Sequence, residues 1–283
     1  MPTSLIVLGS GQDGGAPQLG ETTLRSPRRS ASSLAVISAS GAVVLLDASP
    51  DIRLQVEVLL SSPLYPHGRD EFLDAVCITH AHIGHYAGLL QFGREAAATR
   101  EIPLHATERF LAFVKANEPW AALLRDAHLV GVPIDNAGAV IDRDLTIVAL
   151  PVPHRDEYSD TVAFSVQVRG HPWLLYLPDI DDWGAWDGAE EELARHDVAL
   201  IDASFSAYDE LPSREMGSIR HPLVTDTITR FRHLTTETRL ILTHINHSNP
   251  LGDPMAPITE QAAAAGCRIA YDGLTITREE EDA

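Results

Sequence analysis

The sequence predicts an α/β protein in which two β-sheets face each other and helices flank them. Three observations point there. Strand and helix patterns alternate from one end of the chain to the other, and the pattern recurs in both halves. Apolar strands also end repeatedly in a His or an Asp, which suits ligands presented at the rim of a sheet. A doubly wound parallel sheet is the competing architecture.

The elements follow in order. Leu5-Ile-Val-Leu8 reads as a buried strand running into the Gly-rich segment Gly9-Ser-Gly-Gln-Asp-Gly-Gly15. Gly9, Gly11 and Gly14 match G-x-G-x-x-G, but Ala16-Pro-Gln follows instead of an amphipathic helix, so dinucleotide binding is not expected. Ser33–Ile37 and Ala42–Leu46 flank Ser-Gly as a hairpin. Ser49 then reads as a helix N-cap with Pro50 at the first helical position, and Ile52, Val56, Leu59 and Leu60 follow at helical spacing. Ala75–Thr79 is a short strand, and 107–117 and 120–127 read as helices. In the second half Leu145–Leu150 leads to His154. Val162, Phe164, Val166 and Val168 alternate as in a half-buried strand. Trp173–Leu177 leads to Asp179, and Val198–Ile201 leads to Asp202. Pro222 opens a helix with Val224, Ile228 and Phe231 on one face, Arg239–Thr243 delivers His244, and a last helix and strand follow.

Composition excludes several classes. There are 40 acidic against 21 basic residues, a net charge of −19, which opposes binding to nucleic acid by phosphate neutralisation. Arg25, Arg28 and Arg29 form the one cluster that suggests a local basic patch, and Arg53, Arg155, Arg214 and Arg220 sit near other segments of interest. No apolar run approaches the ~20 residues that span a bilayer. The first nine residues lack a basic run, so no signal peptide is expected. Cys77 and Cys267 are too few for a disulfide framework, and the cytoplasm is the expected compartment. The chain is expected to form one domain over residues 1–283, with the acidic run from Glu279 as a frayed tail.

The chemistry concentrates in Thr79-His-Ala-His-Ile-Gly-His85. Imidazole is a preferred zinc ligand, and three or four groups must converge to ~2 Å from the ion. His80 and His82, two apart after a strand, point to one side if the backbone is extended, and His85 comes round on the next turn. One short segment can thus serve one metal twice and a neighbouring metal once. His154, Asp179 and His244 each follow a strand, although Asp179 equally suits a turn or helix cap. His247 reads as a supporting or substrate-facing residue, and His221 as a helix cap or pocket residue. His67, His105, His128, His171, His196 and His233 read as surface or packing residues.

Taken in order, these segments resemble the metallo-β-lactamase superfamily over nearly the whole chain. Its first motif, His-x-His-x-Asp-His, is followed by a His, a bridging Asp and a final His; they map to His80, His82, His85, His154, Asp179 and His244. The resemblance implies a four-layer αββα sandwich with metals at one edge of the sheets. Gly11-Gln-Asp-Gly-Gly-Ala-Pro-Gln18, Asp47-Ala-Ser-Pro-Asp-Ile-Arg53, His244-Ile-Asn-His-Ser-Asn-Pro250 and Ala270-Tyr-Asp-Gly-Leu-Thr-Ile276 are similar to the pyrroloquinoline-quinone biosynthesis B branch. Two departures stand out. Gly84 replaces the motif Asp, leaving the second metal position one carboxylate short, and the Cys-rich zinc insert of that branch is absent.

The resemblance therefore implies a metallohydrolase with one or two zinc ions, or manganese or iron(II) in their place. His80, His82 and His154 would hold one ion, and Asp179 would bridge to a second at His85 and His244. A metal-bound water ionises near neutral pH and would attack a small ester, preferably a phosphodiester or cyclic ester. Asp179 would orient it, and His221 joins the expected catalytic set. Arg155, His221 and His247 are the expected substrate contacts. An iron(II) oxygenase acting on a quinone-cofactor precursor or related metabolite is the alternative, and a non-catalytic metal carrier a third. The expected partner is a small molecule, and a homodimer is compatible with the sequence.

Overall fold

The computed structural model describes residues 1–21, 27–210 and 220–278. Arg25, Arg214 and the acidic run from Glu279 lie outside the described residues. The chain builds two seven-stranded sheets. The first contains β1 (Ser4–Gly9), β2 (Ser33–Ile37), β3 (Val43–Leu46), β4 (Ala75–Cys77), β5 (Ile102–Ala106) and β6 (Leu129–Pro133), joined at its β1 edge by β14 (Thr275–Thr277). The second runs, from edge to edge, through β13 (Arg268–Ile269), β12 (Arg239–Thr243), β11 (Val198–Asp202), β10 (His171–Leu177), β9 (Val162–Val168), β8 (Leu145–Pro151) and β7 (Ala139–Val140). Each sheet is antiparallel on one side and parallel on the other, with β3 and β10 at the change of sense. This excludes the doubly wound single sheet.

Side-chain alternation sorts the layers. Leu5 and Val7 face Phe164, Val166, Trp173 and Tyr176 of the other sheet, forming the central core. Ile6 and Leu8 face the opposite way, onto α1 (Ile52–Ser61), α3 (Glu108–Ala116) and α4 (Trp120–Arg125). Leu175, Leu177, Ala199 and Ile201 face outward under α5 (Ala189–Ala194), α6 (Val224–Phe231) and α7 (Pro257–Ala264). The result is helix, sheet, sheet, helix: the expected αββα sandwich.

Three local expectations change. The helix after β3 starts at Ile52, and Ser49 sits before it as a brace: its hydroxyl donates to Gln55 Oε1 (2.8 Å) and accepts from the Asp51 amide (3.1 Å). The β9 strand is covered on both faces, because small Ala163 and Ser165 fill the side towards the helices while the larger residues fill the side between the sheets. Arg29 belongs to no surface patch. It is buried and donates to Ser10 Oγ (2.8 Å) and the Ala270 (2.5 Å) and Leu251 (3.3 Å) carbonyls, and burial lowers its pKa to about 10. No helix among the described residues is long and apolar enough to cross a membrane.

Candidate metal centre

The strand ends deliver their polar residues to one rim of the sandwich. Beyond β4, His82 is extended (φ −88°, ψ 144°) and precedes the short helix α2 (Ile83–Tyr86), which turns His85 inward. His80 Nε2 lies 2.8 Å from His82 Nδ1, and His154 Nε2 lies 3.2 Å from the same atom. These three histidines form one set of converging donors. On the far side, Asp179 Oδ2 lies 2.9 Å from His85 Nε2 and 3.2 Å from His244 Nε2, while its Oδ1 lies 3.5 Å from His154 Nε2. Asp179 thus stands between two sets of imidazoles. His80, His82, His85, His154, Asp179 and His244, the six positions the resemblance implies, are brought together.

The residues fit a cation. His85 Nε2, His244 Nε2 and Asp179 Oδ2 are buried atoms with no hydrogen-bond partner, and they face one another. Orphaned buried polar atoms are costly, and a shared ion removes the cost for all of them at once. Burial drives the His80 and His82 pKa values down, favouring the neutral imidazole that ligates. Burial also works against charge on His85, but Asp47 and Asp179 overcome it and hold His85 well above its ordinary value. Asp179 is held well below the usual carboxylate range despite its burial by His244, His85 and His154.

A second tier of residues orients the first. Asp47 Oδ2 lies 2.7 Å from His85 Nδ1, and the carboxylate accepts from the Thr79 amide (2.8 Å) and the Tyr176 hydroxyl (3.2 Å). Thr79 Oγ1 contacts His80 Nδ1 (3.0 Å), Asp181 Oδ1 lies 2.8 Å from His154 Nδ1, and Ser204 Oγ contacts His244 Nδ1 (2.9 Å). Glu157 reaches His82 Nε2 at 3.2 Å. Sequence reasoning gave none of these a role at the site. Asp47 carries the same signature as Asp179, an acid closing an apolar strand, and Asp202 repeats it. Asp47 and His244 also share left-handed backbone, with φ of 62° and 58°, strain that non-glycine residues bear mainly where a site requires it.

Asp202 Oδ2 lies 2.6 Å from His221 Nδ1. Burial alone would discharge His221, but Asp202 and then Asp179 raise it to about 9. His221 stands 3.9 Å from Asp179 Oδ1 and also lines an open cleft of about 620 Å³ with Pro153, Asp181, Tyr208, Arg220 and Arg230. Neither Arg155 nor His247 lines this cleft. Arg155 is exposed and lies 3.6 Å from Glu157, and His247 Nδ1 lies 2.6 Å from Glu21. Asp182 is the acid that takes the capping role, accepting from the Gly184 amide (2.7 Å).

Gly84 faces the Gly-rich loop. A Cβ there would collide with Asp13 Oδ1 and come within 2.5 Å of Asp13 Cα. Position 84 therefore has no room for the motif Asp unless the loop moves.

A four-layer sandwich with paired histidine sets and a carboxylate between them at the sheet rim defines a fold of the metallo-β-lactamase type with a candidate metal centre. The chain belongs to this superfamily: the Beta-lactamase superfamily domain matches residues 43–245. Within it the chain is similar to the coenzyme PQQ synthesis protein B of Methylococcus capsulatus, 29% identical over 95% of this chain and 98% of that protein. The zinc-bound PqqB of Methylobacterium extorquens superposes with a TM-score of 0.82 at 24% identity, covering 97% of this chain and all of the other. A diphosphatase from the PhnP family superposes at 0.71 with 22% identity, over 98% of each chain.

Proposed function

We propose that the protein is a metal-dependent hydrolase of small ester-type substrates, with phosphodiesters and cyclic esters preferred. The observation that carries this reading is the pair of donor sets flanking Asp179. His80, His82 and His154 would hold one ion, and His85 and His244 a second, with Asp179 shared between them. Bound zinc would supply Lewis-acid polarisation of the ester and a more acidic water. The remaining work falls to the chain itself. Asp179, held ionised, would orient an attacking water at the centre of the site by accepting its hydrogen bond. His221, charged at neutral pH beside Asp202, has a proton to give a leaving oxygen at the cleft. Arg220 and Arg230 on the cleft wall suit an anionic group. The similarity to a diphosphatase supports hydrolysis at phosphorus at the level of the fold.

A second reading is favoured by the similarity to PQQ synthesis protein B across the chain, namely an iron(II)-dependent oxygenase acting on a quinone-cofactor precursor or related metabolite. Two histidines and a carboxylate with open positions suit iron(II) and oxygen. One experiment separates the two. Protein loaded with zinc under argon is assayed on bis(p-nitrophenyl) phosphate, a cyclic nucleotide diester and a lactone, and His221→Gln and His82→Ala are run beside it. The hydrolase reading expects turnover that needs zinc but not oxygen, and that falls in both variants. No ester turnover with zinc, together with oxygen uptake in iron-loaded protein, would replace it with the oxygenase.

A further inference from the structure

We propose that Asp13, from the Gly-rich loop after β1, is the carboxylate ligand of the ion held by His85 and His244, in the space that Gly84 leaves open. The inference rests on the metal-centre reading and is independent of whether the reaction is hydrolysis or oxygenation.

Three observations carry it. Asp13 Oδ1 lies 3.2 Å from His85 Nε2 and 3.8 Å from His244 Nε2, and the three residues form a converging donor set. A third of the Asp13 side chain remains open to solvent, yet Oδ1 itself is buried with no hydrogen-bond partner, as are the two imidazole nitrogens and Asp179 Oδ2. Asp13, His85 and His244 bring three such atoms together, with Asp179 Oδ2 also beside both imidazoles, as an ion site does when its donors are already in place.

The second observation is steric. A Cβ at position 84 would overlap Asp13 Oδ1 and approach its Cα to 2.5 Å and its Cβ to 2.8 Å. Glycine at 84 and aspartate at 13 are therefore one arrangement: the side chain just before His85 is reduced to a hydrogen so that a carboxylate can enter from another part of the chain. The second position consequently lacks no acid. Its acid comes from the first loop.

Thirdly, the loop is clamped to the strand end that carries His244. The Gln12 amide donates to the Ile245 carbonyl (3.0 Å), and the Ile245 amide donates to the Ser10 carbonyl (2.9 Å). Gly11 donates to Ser30 (2.8 Å) and Gly15 to Gln12 (2.7 Å). Asp13 and His244 are thus positioned by one shared hydrogen-bonded frame, as a preorganised site requires.

The test measures zinc binding, not turnover. Full-length wild type, Asp13→Ala, Asp13→Asn and Gly84→Ala are stripped of metal, checked for unchanged far-ultraviolet circular dichroism, and titrated with zinc against a chromophoric chelator. Wild type is expected to bind two ions. Both Asp13 variants should keep one tight ion and bind the second about 10- to 100-fold more weakly, at least the loss that follows removal of an outer partner. Gly84→Ala should show the same selective loss without deleting any donor, because its methyl displaces the loop. A second ion bound by Asp13→Ala as tightly as by wild type overturns the proposal. So does a wild type that binds only one ion, or an Asp13→Ala that weakens both ions equally. Failure of ester turnover in the fully loaded wild type would sink the hydrolase reading alone.

Discussion

At the scale of single residues, the centre separates its histidines by charge. His80 and His82 are driven by burial towards the neutral form, whereas His85 is held protonated by Asp47 and Asp179 against the effect of burial. A ligating imidazole must give up the proton on its donor nitrogen, so protons compete with metal at His85 at and above its ordinary value of 6.5. At His80 and His82 that competition begins only below 6.5. Affinity at the His85–His244 position should therefore rise with pH through neutrality, while at His80 and His82 proton competition is already relieved. Dialysis from about pH 8 to about pH 6 should remove the ion at His85 and His244 first. Metal content checks it: His244→Ala, which keeps the three-histidine set, should hold its zinc to lower pH than His82→Ala. The reverse order would contradict the assignment of charge.

At the scale of elements, the ligand-bearing turns are fixed by backbone contacts with neighbouring loops. The 3-10 turn Ala87–Phe92 continues α2, and through it His85 is docked onto the loop that follows β3. The Ala48 amide donates to the His85 carbonyl (2.8 Å), and the Gly88 amide donates to the Ala48 carbonyl (2.9 Å). The approach is close enough that a Cβ on Gly88 would overlap the Ser49 carbonyl oxygen and come within 2.8 Å of the Ala48 carbonyl oxygen. Gly88→Ala is therefore expected to destabilise the protein by about 1–3 kcal/mol, the usual cost of overpacking. It should also weaken zinc binding at His85 while leaving the three-histidine set intact. Urea unfolding and zinc titration check the two halves of this expectation, and an unchanged midpoint would show that the docking is looser than the contacts imply.

At the scale of the whole molecule, the rim is rigid because both sheets are covered on both faces. Phe164 and Trp173 are fully buried between the sheets, and Tyr176 runs from that core to the Asp47 carboxylate. Phe164→Ala removes a ring from this layer and should cost about 3–5 kcal/mol, read as a lower urea midpoint with little change in slope. Because the strands that bear the ligands share this core, the same variant should lose zinc at lower denaturant than wild type.

The sequence by itself determined what depends on short range. Hydrophobic alternation and helical spacing placed most of the core strands and several helices but not β5, β6, β7 or α5, and the order of the motifs, through the family resemblance, joined His80, His82, His85, His154, Asp179 and His244 into one set. It misjudged β9, because alternation shows only that one face is apolar and small residues such as Ala163 and Ser165 are as easily buried as exposed. Only the tertiary structure decided which distant side chains complete the site. Asp47 behind His85, Asp202 behind His221, and Asp13 against Gly84 are contacts made when separate loops meet at one rim. No local pattern encodes them, since their cause is the packing of two sheets, which brings those loops together. The glycine that looked in the sequence like a lost ligand proved in the fold to be the space another carboxylate fills.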